Sequence, residues 1–115
     1  MDYTDNMLSV LEGFTSYNED EIAKQLASDF RQRRVEKGLT REQLAEQSRV
    51  AVSNIVRFEQ KGLISLKNLI GLAIELGYTA EIKNIFAQPK YTTIEELTQI
   101  RKNSGKTKAY RKHES

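Results

Sequence analysis

Residues 38–62 read GLTREQLAEQSRVAVSNIVRFEQKG. Two short helical patterns lie inside this stretch, bracketed by Gly38 and Gly62. Thr40 to Gln43 has the form of a capping box. The Thr hydroxyl accepts from a backbone N–H one turn on, and the Gln at the third position reaches back to the amide of the cap. The first helix then runs to about Gln47, with Leu44 and Ala45 facing a core. Ser48, Arg49 and Val50 make a short turn. A second helix covers about Ala51 to Gln60, with Ile55 inward, and Lys61-Gly62 stop it.

Working outward, the same signals recur on both sides. A long helix is expected from about Glu19 to Lys37. Asn18 or Asp20 caps it, and Glu19, Asp20 and Glu21 put negative charge at its positive end. Ile22, Leu26 and Phe30 fall at i, i+4 and i+8 and predict its buried stripe. Downstream, Ser65 caps a fourth helix that ends at Gly77, with Leu66, Leu69, Ile70, Ala73 and Ile74 on its inner face. A fifth covers about Thr79 to Ala87 and buries Ile82, Ile85 and Phe86. Pro89 marks a boundary. Beyond it, Thr93-Ile94-Glu95-Glu96 opens a short helix, as a second capping box, that reaches about Lys102. Residues 103–115 are polar and basic with no periodic apolar face, and are expected to be mobile.

The pattern predicts an all-α chain in three parts. Residues 1–18 form an acidic N-terminal extension, 19–88 the helical domain, and 89–115 a short helix with a basic tail. One domain plus tails is what 115 residues, 38% of them hydrophobic and 30% charged, allow. The net charge of +2 hides a polarity along the chain. Asp2, Asp5, Glu12, Glu19, Asp20 and Glu21 stand near the start with no base among them. Arg101, Lys102, Lys106, Lys108, Arg111 and Lys112 stand near the end against Glu114. Such ends either meet each other or nucleic acid, or are two solvated tails.

Several function classes are excluded or unsupported. Cysteine is absent, which rules out disulfides, thiol catalysis and Cys-type zinc fingers. The single histidine, His113, lies in the basic tail. The domain has no Gly-rich phosphate loop and no metal-ligand spacing, so neither an enzyme nor a cofactor or metal is expected. No run approaches the roughly 18 apolar residues of a membrane span. The start of the chain lacks the basic-then-apolar pattern of a secretory signal. A cytoplasmic protein is the simplest reading.

Two short helices about three residues apart, the second slim at its start, have the layout of a helix-turn-helix. In that motif the second helix enters the major groove and presents its first side chains to base edges. Val52 and Ser53 are small enough for close approach. Arg57, one turn on, has the reach for a guanine edge. Alternatives stand beside these roles: Val52 closes the turn, Arg57 pairs with Glu42, and the cations are solvated surface charges.

The segment Arg34-Val-Glu-Lys-Gly38-Leu-Thr-Arg-Glu-Gln-Leu-Ala45, with Ile55-Val-Arg-Phe-Glu59 and Gly62, resembles the XRE or phage-repressor (Cro/C1-type) helix-turn-helix family over residues 22–87. The resemblance implies a five-helix domain that binds double-stranded operator DNA as a transcriptional repressor. It implies base contacts from Val52, Ser53 and Arg57. Phosphate contacts are implied for Arg41, Asn54, Lys61, Ser65 and Lys67, the helix N-terminus at Ser65 adding backbone donors. It also implies an ion pair between Arg34 and Glu59 that ties the first helix to the recognition helix. Two positions depart from the family pattern. Arg49 stands where Gly is usual, at a cost of roughly 1 kcal/mol for a left-handed conformation, and brings a cation for a phosphate. Ala51 stands where a Ser cap is usual, which forgoes about 1 kcal/mol.

Pairing two modules gives two half-sites about 34 Å apart, so a homodimer is expected. Candidate surfaces are the fifth helix, with Ile82, Ile85 and Phe86, and the N-terminal cluster Leu8, Leu11 and Phe14. The resemblance favours the fifth helix. The Pro, short Leu-bearing helix and basic terminus are loosely similar to HipB-like antitoxins, which implies a HipA-type kinase toxin as a further partner. A protein-interaction module that keeps the scaffold without DNA binding is the alternative.

Overall fold

The computed structural model describes residues 18–106. Among them are six α-helices and no strand: α1 (Glu19–Glu36), α2 (Arg41–Ser48), α3 (Val52–Lys61), α4 (Leu66–Glu75), α5 (Thr79–Lys83) and α6 (Ile94–Ser104). The all-α expectation holds, with five helices followed by a short sixth. The chain divides into two compact units, Met1–Thr79 and Ala80–Ser115. The apolar cluster Leu8, Leu11 and Phe14 and the tail from residue 107 onward lie outside the described residues. No described helix is long and apolar enough to cross a membrane.

The helix starts follow from side chains that satisfy the orphan amides of a first turn. Asn18 Oδ1 accepts from the backbone N–H of Asp20 at 2.9 Å and of Glu21 at 3.3 Å. Thr40 Oγ1 accepts from the Gln43 amide at 3.0 Å, and Gln43 Oε1 accepts from the Thr40 amide at 2.9 Å, so the capping box closes in both directions. Ser65 Oγ accepts from the Asn68 amide. The box at Thr93 differs from expectation. Thr93 Oγ1 accepts from the Glu96 amide, but the Glu96 carboxylate reaches one residue further, to the amide and hydroxyl of Thr92. A glutamate spans that extra residue because Thr92 offers it two donors instead of one.

In the first unit, α1 packs on α3, and α2 packs on both α3 and α4. The core is Ala27, Phe30, Leu44, Val50, Ile55, Phe58, Leu72 and Leu76, with Leu39, Ala45, Ile64 and Leu69 packed against it. The Phe30 and Phe58 rings meet at 5.2 Å between centroids with a 55° tilt, a geometry that adds about 0.5–1.5 kcal/mol to their burial.

Two expected stripes are corrected. On α1, Ile22 and Leu26 are half-exposed, and the buried line is Ala27, Phe30 and Arg34. The reason is a close approach. Gly62 lies so near α1 that a Cβ there would come within 3.1 Å of the Ala23 carbonyl carbon. Only the small residues of α1 fit under that contact, and the branched ones are turned to its flank. On α4, Leu66 and Ile74 are exposed, while Leu72 and Leu76 are buried. The α4 sequence LKNLIGLAIE is apolar around most of its circumference, so periodicity alone does not pick the inner face.

In the second unit, α5 stops at Lys83 instead of about Ala87, and residues 84–86 continue as turns. Its five residues include no buried side chain, so nothing outside the backbone sustains a further turn. Ile85 and Phe86, expected to be buried within the chain, are exposed, Phe86 at 95%. Ile82 is half-buried. Helix α6 runs to Ser104 and buries no residue.

Candidate nucleic-acid interface

The turn between α2 and α3 is built by Arg49 and Val50. Arg49 has φ +62° and ψ +23°, the left-handed conformation, and its N–H donates to Ala45 O at 2.9 Å to close α2. It is the non-glycine residue with positive φ among those described. Ser48 Oγ accepts from the Val50 amide, and Val50 turns into the core at 5% exposure. A turn residue thus doubles as a core residue, which holds the start of α3 against the domain. Ala51 precedes α3 with no side-chain hydrogen bond to its first turn.

Helix α3 is two-faced. Ile55 and Phe58 are buried, and Val56 and Glu59 are half-buried. With 3.6 residues per turn, Ser53, Arg57 and Gln60 share the opposite face. All three are exposed, as are Val52, Asn54 and Lys61. Gln60 was not among the residues singled out from the sequence. Its spacing of three from Arg57 and seven from Ser53 is the signal that finds it. Its amide has the donor and acceptor that pair with an adenine edge.

The one acid of α3, Glu59, is turned inward, its side chain 1% exposed. Arg34 holds it in a two-pronged pair, Nε to Oε2 at 2.7 Å and Nη2 to Oε1 at 3.0 Å. The third arm of Arg34, Nη1, donates to Leu39 O at 2.7 Å. One buried guanidinium therefore joins α1, the α1–α2 loop and α3. Arg41 Nε donates to Glu59 Oε1 at 2.9 Å, so this residue, expected at a phosphate, is also bound to the same carboxylate. Burial alone pushes the Glu59 carboxyl up. The hydrogen bonds and charges of Arg34 and Arg41 outweigh burial and hold it below the ordinary glutamate range.

With Glu59 removed from the surface, the outward side of this region is cationic. Arg49, Arg57, Lys61 and Lys67 are exposed, and none makes an ion pair with a described acid. The alternative pairing of Arg57 with Glu42 does not occur among the described residues. Ser65 spends one lone pair on the α4 cap and keeps its hydroxyl proton for an acceptor outside.

Residues 30–83 match the family model described as Helix-turn-helix. These residues are a helix-turn-helix domain of the XRE kind. Such a domain is a DNA-binding regulatory module and not a catalytic one. Neither a curated protein nor a solved structure matches the chain. Within the helix-turn-helix, α2 is the first helix, residues 49–51 are the turn and α3 is the recognition helix. The matched stretch begins at Phe30, inside α1, and so takes in the arginine that grips Glu59.

Proposed function

We propose that this protein is a sequence-specific DNA-binding repressor that works as a homodimer. The observation that carries the reading is the surface of α3. Its acid is drawn inward by Arg34 and Arg41, and Ser53, Arg57 and Gln60 stand outward with cations around them. A slim, positively charged helix fits the major groove, where an Arg takes a guanine edge through two hydrogen bonds. In this reading Val52, Ser53 and Arg57 read bases. Arg41, Arg49, Asn54, Lys61, Ser65 and Lys67 fix register on phosphates. Repression follows when a bound dimer occupies a promoter.

The dimer reading is supported by Ile85 and Phe86, whose exposed apolar side chains are poor solvent partners and good contact partners. A HipA-type kinase as a further partner rests on the loose likeness of the C-terminal segment alone. Copurification from the native source tests it.

A gel shift with the DNA upstream of the protein's own gene tests the main reading. Wild type is expected to retain that duplex selectively. Arg57→Ala is expected to lose about 1–3 kcal/mol of discrimination at one base pair. Absence of any retention at low salt overturns the reading, because phosphate contacts alone give salt-sensitive binding. The scaffold would then be a protein-interaction module.

A further inference from the structure

The Glu59 cluster contains more positive charge than its carboxylate uses. Oε2 accepts from Arg34, and Oε1 accepts from both Arg34 and Arg41. A third guanidinium stands behind them. Arg31 Nε lies 4.0 Å from Oε1, beyond hydrogen-bond distance, and its side chain is 60% exposed. No described hydrogen bond uses any nitrogen of Arg31, or the two Nη nitrogens of Arg41. Neighbouring acids are committed elsewhere on α1. Asp29 accepts from Gln25, and Glu36 pairs with Arg33.

Three arginines thus converge on one buried carboxylate, and two of them keep outward-facing donors. Arg41 is held by its Nε and remains one-third exposed, so the edge it presents to solvent is pre-oriented. Arg31 belongs to α1 and Arg41 is the first residue of α2; Glu59 of α3 anchors Arg41 and lies 4.0 Å from Arg31. Planar guanidiniums side by side match the oxygens of a phosphodiester better than those of any smaller neutral group. We propose that Arg31, with Arg41, holds a DNA backbone phosphate at the junction of α1, α2 and α3. The anion would supply the negative charge that Glu59 alone does not. This proposal rests on the DNA-binding reading above, and adds to it a contact from α1, outside the two helices of the motif.

The test is the salt dependence of affinity for a short DNA duplex of mixed sequence, with the full chain as wild type, Arg31→Gln, Arg31→Lys and Lys67→Gln. Arg31→Gln is expected to weaken binding several-fold at low salt. It should reduce the slope of log affinity against log salt by about one, with the melting temperature and the order of preferred sequences unchanged. Arg31→Lys is expected to restore the slope. If Arg31→Gln keeps the wild-type slope while Lys67→Gln lowers it, the phosphate role of Arg31 is overturned and the DNA reading stands. A fall in melting temperature with no change of slope also overturns it, since Arg31 would then act only on Glu59 within the fold. If wild type shows no salt-dependent binding at all, the DNA reading fails and this proposal fails with it.

Discussion

Helices α3 and α6 are nearly equal in length, ten and eleven residues, yet they are held in opposite ways. Helix α6 has every local device. Thr93 caps it, Glu96 bonds back to Thr92, Glu95 and Glu96 face its positive end, and Arg101 and Lys102 face its negative end. It buries nothing. Helix α3 has no side-chain cap and no acid in its first turn, but it buries Ile55, Phe58 and the Glu59 carboxylate. Local devices contribute tenths to about 1 kcal/mol each, and burial contributes several. The difference teaches that the recognition helix is placed by what lies behind it. Its solvent-facing side is therefore not needed to hold it in place.

The largest expected effect that would break this comparison comes from Glu59→Ala. It leaves the Arg34 guanidinium buried without its partner and should cost about 3–5 kcal/mol in chemical denaturation. The same group gives a pH signature. Its carboxyl titrates lower folded than unfolded, so its stabilisation is present above the unfolded glutamate value, about 4.3. That stabilisation is lost as pH falls toward the lower folded value. Wild type should therefore lose stability faster than Glu59→Gln on acidification below that point. Equal slopes would mean that the arginines do not hold the carboxylate.

Next in size is the contrast between two isoleucines. Ile55→Ala should cost about 2–5 kcal/mol, since Ile55 is wholly buried. Ile100→Ala on α6 should cost under about 1 kcal/mol by the same measurement. Comparable losses would show that α6 is packed as firmly as α3. The smallest effect sharpens the comparison instead. Ala51→Ser supplies the missing cap and should raise stability by about 1 kcal/mol, read as an upward shift in melting temperature. No gain would mean that α3 begins elsewhere than at Val52.

The same contrast explains how much was legible in the residues. Starts were readable wherever a side chain makes them, as at Asn18, Thr40 and Ser65, and so was the left-handed turn at Arg49. The outward Ser53 and Arg57 followed from the slim start of α3 and the spacing of one turn. The buried face of α1 did not. Ile22 and Leu26 look like core by period, and only the approach of Gly62 to Ala23 turns the small residues inward. The excess of arginines around Glu59 was illegible for a related reason. Arg31, Arg34 and Arg41 are up to ten positions apart along the chain, and the fold alone brings them to one carboxylate.

The contact at Gly62 has a consequence for how α3 is aimed. At the far end of α3, Gly62 sits so close to α1 that a Cβ there would lie 3.1 Å from the Ala23 carbonyl carbon. The missing side chain at Gly62 therefore acts as a spacer that sets the lean of the helix, and because the neighbouring atoms are partly backbone, no rotamer change can make room for a larger one. Exposed side chains on α3 can thus change without moving the helix, while its lean is set at a residue on the inner side of the packing, against Ala23.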